Sequence, residues 1–139
     1  MRSSPTQRTL AHLRALPGAA CVVEKWVRFS GGGGVRVDAF GFGDILWASR
    51  ENGIVLVQAC AGASHADRRA KVLASGDAKN WLACGGRILI LSWSKKGERG
   101  RRKLWAPRAE WVTRLSAAAS SPPAPPPELS PPPAQEEAE

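Results

Sequence analysis

The stretch VDAFGFGDILWASRENGIVLVQACA, residues 37–61, decides the fold. Its end, IVLVQACA (54–61), is a near-continuous apolar run, which suits a central strand buried on both faces. Glu51, Asn52 and Gly53 supply a turn ahead of it. Residues 35–40 and 44–48 read as one strand, interrupted at Gly41-Phe42-Gly43 by a bulge or bend. The two strands then form a hairpin.

Working outward, Ser4 and Pro5 open a helix over residues 6–16, with Leu10, Leu13 and Leu16 on its apolar face. Pro17-Gly18 ends it. Residues 20–29, rich in Val and aromatic side chains, read as a strand, and Gly31 to Gly34 as a mobile hairpin connection. On the other side, residues 64–74 form a helix capped by Ser64, and 78–84 a short second one. RILILSW (87–93) is a further strand. A basic loop comes next, and residues 104–111 close the domain as an edge strand. The expected fold is α/β (α+β), an αβββαβ core with one extra strand, its central mixed sheet flanked by helices.

Composition divides the chain. From Ser116 onward the sequence is almost entirely Ala, Ser, Pro and Glu, too poor in large apolar surface to offset the entropy of ordering it. The expectation is a folded domain at 4–115 and a disordered Pro/Ala/Glu-rich tail at 116–139. All 20 Lys and Arg precede the tail, and 8 of the 12 acidic residues do, so the body carries a formal net charge of +12. A compact body that positive attracts polyanions. DNA, RNA and acidic membrane surfaces all qualify, and clustering of the basic residues favours nucleic acid. There is no apolar run of the ~20 residues that a membrane span needs. The amino terminus lacks an apolar h-region, so it does not read as a secretory signal. Cys21, Cys60 and Cys84 are odd in number and form no CxxC pair, which suits a reducing compartment. The sequence therefore reads as a cytoplasmic protein with no membrane partner.

The αβββαβ order, with Asp44 opening the second strand and Gln58 in the third, resembles the PD-(D/E)XK nuclease-like superfamily. That group includes Holliday junction resolvases and Mrr-type restriction enzymes. The resemblance covers Pro5 to Trp93 in order and spacing. It implies an Mg2+- or Mn2+-dependent DNA endonuclease in which Asp44 and Gln58 hold the metal, with Asp38 as a further ligand if the Gly41–Gly43 kink turns it inward. Such a set polarises the scissile phosphate and lowers the pKa of a bound water. The family's lysine lies two residues past the Gln58 position, where this chain has Cys60. Gln7 stands where many members carry glutamate. Glu24 and Lys25 on the first strand could repair the set, one or the other, since neighbours on a strand face opposite ways. Lys25 is the expected substitute, giving Asp44, Gln58 and Lys25 as the catalytic set. A homodimer is implied if the protein is a resolvase.

Arg68, Arg69 and Lys71, with Lys95, Lys96, Arg99, Arg101, Arg102 and Lys103 of the basic loop, are expected to hold phosphates. Other readings stay open. Asp44 can serve a turn, Gln58 can be a buried amide bonded to backbone, Cys60 a small core residue and Lys25 part of a solvated edge. The alternatives to an active nuclease are an inactive nuclease-fold protein that binds nucleic acid or a protein partner, and a small RNA-binding or adaptor protein. His12 and His65 stand alone in the sequence and suggest no metal site.

Overall fold

The computed structural model describes residues 3–113; the predicted tail lies outside them. Helix α1 (Pro5–Arg14) starts at a reciprocal cap. The Ser4 hydroxyl accepts the Gln7 N–H at 3.2 Å, and the Gln7 side chain accepts the Ser4 N–H at 3.0 Å. Two of the helix's orphan donors are thereby satisfied, and Gln7 is occupied in the cap.

Seven strands come after it: β1 (Gly18–Val22), β2 (Lys25–Arg28), β3 (Gly34–Val37), β4 (Ile45–Ser49), β5 (Gly53–Ala61), β6 (Arg87–Lys96) and β7 (Leu104–Val112). A 3-10 turn, then α2 (His65–Ala74) and α3 (Gly76–Ala83), cross from β5 to β6. The main sheet has the order β1-β4-β5-β6-β7. Only β5 and β6 run parallel; the other pairs are antiparallel, so the sheet is mixed. The parallel pair is the one that needs a helical crossover, and α2 and α3 supply it. The protein is thus α+β, with a mixed five-stranded sheet flanked by helices. None of its described helices is long and apolar enough to cross a membrane.

The central strand is as expected: residues 55–60 of β5 are all buried. Val55 and Val57 point to the α1 side, where they meet Leu13, Ile45, Trp47, Leu89, Leu91 and Trp93. Leu56 and Cys60 point to the α2–α3 side, with Phe42, Val72, Ala78, Ile88 and Ile90. Thr9 anchors α1 by accepting the Trp93 indole N–H at 2.9 Å.

Two expected strands prove to be four. Residues 20–29 divide into β1, in the main sheet, and β2, outside it; residues 35–48 divide into β3 and β4 in the same way. β2 and β3 pair only with each other, as a separate two-stranded sheet. The glycine run explains the split. Gly32 and Gly33 take φ of 94° and 74°, so the chain reverses at once and β2 pairs with β3, the next strand along the chain. The Gly41–Gly43 segment is likewise a tight turn. Ala39 and Gly43 exchange backbone hydrogen bonds, Phe40 and Gly41 take positive φ, and Phe42 inserts fully into the core.

Smaller differences concern the flanks. Ser64 belongs to the 3-10 turn and makes no side-chain cap bond, whereas Ser75 caps α3 by accepting the Ala78 N–H. Lys95 and Lys96, read as loop, are the last residues of β6, paired with Trp105 and Leu104.

Candidate metal centre

Asp44 immediately precedes β4. Strand β5 runs on past the end of β4, which leaves the Ala59 N–H without a strand neighbour on that side. The buried Asp44 carboxylate takes its place: Oδ2 accepts the Ala59 N–H at 2.8 Å and the Gln58 side-chain amide at 2.7 Å. Gln58 is itself buried, and its Nε2 also donates to the Ala59 carbonyl at 3.2 Å. Its Oε1 is buried without any hydrogen-bond partner. A buried amide oxygen left unpaired is costly; the group of this side chain that faces Asp44 is its amide nitrogen.

Two further carboxylates converge on Asp44. Asp38 lies just past β3 and is brought back by the Ala39–Gly43 turn, while Glu24 sits where the chain leaves β1 for β2. One oxygen from each of Glu24, Asp38 and Asp44 lies within 4.8 Å of the others. Burial pushes the Asp44 carboxyl from 3.8 up to about 7; the charges of Asp38 and Glu24 and a hydrogen bond with Asp38 push the same way, while the Ala59 N–H opposes them. Like charges held this close to a buried carboxyl favour its neutral form, unless a cation joins them. Three carboxylates form an all-oxygen donor set, suited to a hard divalent ion such as Mg2+ or Mn2+. The residues present fit such an ion.

Lys25 is exposed on β2, and alternation sends it to the side opposite Glu24. The guanidinium nearest the carboxylates comes from β3 instead: Arg36 Nη1 lies 3.6 Å from Glu24 Oε1. Sequence reasoning missed Arg36. The alternation of Glu24, Trp26 and Arg28 against Arg36 and Asp38, across the expected Gly31–Gly34 hairpin connection, carried that signal. Cys60 is buried; desolvation pushes its thiol up, Arg68 partly offsets this and Asp44 adds to it. That position therefore offers a neutral thiol.

The basic residues fall into two groups. Arg68 is half-buried on the sheet-facing side of α2, near enough to Cys60 for its charge to be felt there. Arg69 is engaged by Glu110, its Nε donating at 2.7 Å, and Lys71 is exposed. Arg99, Arg101, Arg102 and Lys103 stand exposed in the turn between β6 and β7, with Arg101 and Glu98 3.5 Å apart. Lys95 is exposed at the end of β6, its ammonium 5.3 Å from the centre of the Trp105 ring; Arg8 lies over the same ring at 3.6 Å.

His65 is far from isolated. Its Nδ1 is 2.7 Å from the Ser92 hydroxyl and its Nε2 is 2.8 Å from Glu110, which also holds Arg69. Ser92 and His65 are 1% and 2% exposed, so no substrate reaches them. This Ser–His–Glu arrangement ties α2 to β6 and β7, and it does not resemble an accessible nucleophile.

No protein-family model, curated protein or solved structure matches this chain.

Proposed function

We propose that the chain is a DNA-binding protein of the PD-(D/E)XK nuclease-like fold, and that it hydrolyses phosphodiesters with a divalent metal. The observation that carries this reading is the convergence of Glu24, Asp38 and Asp44, with the buried Gln58 bound to Asp44 through its side-chain amide. With the β2–β3 hairpin set aside, the helix, three strands, crossover helices and further strand also keep the αβββαβ order. Asp44 at the head of β4 and Gln58 in β5 occupy the positions that the resemblance assigns to metal ligands.

Glu24, Asp38 and Asp44 would hold Mg2+ or Mn2+, which supplies Lewis-acid polarisation of a phosphodiester when bound. The protein's own part is to fix these oxygens. The Ala59 N–H and the Gln58 amide orient Asp44, and the Ala39–Gly43 turn delivers Asp38. Arg36 brings positive charge to Glu24, where it can stabilise a developing anion, and Arg68 brings it to the neighbourhood of Cys60. The exposed cations at the β6–β7 turn suit a phosphate backbone, without base readout.

A second reading is favoured by one observation. Cys60 is a buried neutral thiol where the resemblance expects lysine, so the chain fits equally a nuclease-like protein that binds DNA and does not cut it. Incubation with supercoiled plasmid and with a four-way junction, in Mg2+ and in Mn2+, separates the two. Metal-dependent nicking that disappears in Asp44→Ala is the result expected of a nuclease. Salt-sensitive binding with no cleavage in either metal would leave only the binding reading.

A further inference from the structure

The acidic cluster continues onto one face of the β2–β3 hairpin. The register pairs Trp26 with Arg36 and Arg28 with Gly34, and directly opposed residues share a face. By alternation, Glu24, Trp26 and Arg28 lie on the same side as Asp38, Arg36 and Gly34. The diagonal contact between Arg36 and Glu24 at 3.6 Å is what that shared side requires. Trp26 therefore sits two residues from a cluster carboxylate, roughly 7 Å along the strand.

Trp26 is 58% exposed. Its ring lies along the hairpin over Gly34, where an added Cβ would come within 2.7 Å of the indole. Glycine at that position is what lets the ring lie flat. Among the described residues no second ring and no cation stacks on it, unlike Trp105, which Arg8 covers. Arg28 and Arg36 flank it and are both exposed. An open indole between two guanidinium groups, on a body of net charge +12, matches a polyanion that also presents flat π-faces. Stacked duplex hides its base faces; unpaired bases expose them.

We propose that the Trp26–Arg28–Arg36 face binds a single-stranded or unpaired DNA segment leading into the acidic cluster. One base stacks on Trp26, and the adjoining phosphates meet Arg28 and Arg36. The preferred substrate class is then DNA with unpaired bases, such as an overhang, flap or open junction, rather than flush duplex. This rests on the reading of the cluster as a phosphodiester site.

The test is fluorescence anisotropy of the full chain in EDTA, with labelled single strand, overhang duplex and flush duplex of equal length. Wild type should prefer the probes with unpaired bases. Trp26→Ala should weaken those by about tenfold, in the range of one lost base stack, and flush duplex by less than about twofold, while Trp26→Phe restores most of the difference. Equal weakening of all probes, no effect of Trp26→Ala, or no binding by wild type would overturn the proposal. So would a wild-type dimer that Trp26→Ala converts to monomer in sedimentation, since a second copy would then occupy this face. Cleavage is read separately in Mn2+. Trp26-dependent binding without cleavage would sink the hydrolytic reading and leave this surface standing.

Discussion

Replacing Asp44 by asparagine should stabilise the metal-free protein at pH 8. Burial and the nearby Asp38 and Glu24 push this carboxyl from 3.8 up to about 7. The folded chain therefore holds the Asp44 proton more tightly than the unfolded chain does. Its favourable contribution is complete below about pH 4 and is lost as pH rises through 7. A displacement of that size corresponds to a ceiling of about 4 kcal/mol. Glu24 and Asp38 are only half-buried and can relax, so about half of this, about 2 kcal/mol, is the expected effect. Asparagine can keep its carbonyl oxygen on the Ala59 N–H and turn its amide toward the two remaining carboxylates, so the hydrogen bonds survive while one charge goes. For a domain of this size the gain should raise Tm by roughly 8–12 °C. Thermal melts of wild type and Asp44→Asn in EDTA at pH 5 and pH 8 provide the assay. The variant should gain at pH 8 and show little difference at pH 5. Added Mg2+ or Mn2+ should raise the wild-type Tm at pH 8 and leave the variant nearly unmoved. If Asp44→Asn is no more stable than wild type at pH 8 in EDTA, burial and the neighbouring carboxylates do not disfavour the Asp44 charge as described.

The opposite pH limb should belong to Glu110. Hydrogen bonds from His65 and Arg69 hold its carboxyl below the ordinary 4.5, so its contribution is present above that value and lost as pH falls further; Glu110→Gln should flatten the acid limb of a stability profile. His65→Ala should cost about 2–4 kcal/mol in urea unfolding, because it leaves the buried Ser92 hydroxyl without a partner and Glu110 with Arg69 alone. At Gly43 an added Cβ would lie 2.4 Å from Cγ of the buried Leu56, so Gly43→Ala should lose about 1–3 kcal/mol. Gly31, with open space around it, should tolerate alanine in the same unfolding assay.

Strand β5 was legible because an apolar run between turn residues has few fates other than the middle of a sheet. The start of α1 was legible because its cap is built from residues three apart. The split of residues 20–29 was not. KWVR and GVRV have the Val and Trp content of a half-buried strand, yet most of their side chains are exposed, and only the tertiary partner tells the two cases apart. The glycine run between them announces the reversal, as the hairpin reading has it, but not that β2 and β3 leave the main sheet. Asp44 and Gln58 came from a spacing that strand order makes meaningful, whereas Asp38 depended on the turn geometry at Phe40 and Gly41. His65, Ser92 and Glu110 meet from three elements, 27 and 45 residues apart, and no local pattern announces such a meeting.

On the proposed nuclease reading, Cys60 raises the question of where positive charge would enter the site. A cation stabilises a developing anion through distance and dielectric, whatever its position in the sequence. At Cys60 the neighbours are Leu56, Val72, Ile88 and Ile90, and a lysine there would have to thread an ammonium past this apolar packing to reach water or a carboxylate. Arg36 and Arg68 face no such obstacle, since one is exposed beside Glu24 and the other is half-buried on α2. Lys25 has the right charge on the wrong side of β2. The hairpin that sends Lys25 away from the cluster is the same device that brings Arg36 to it.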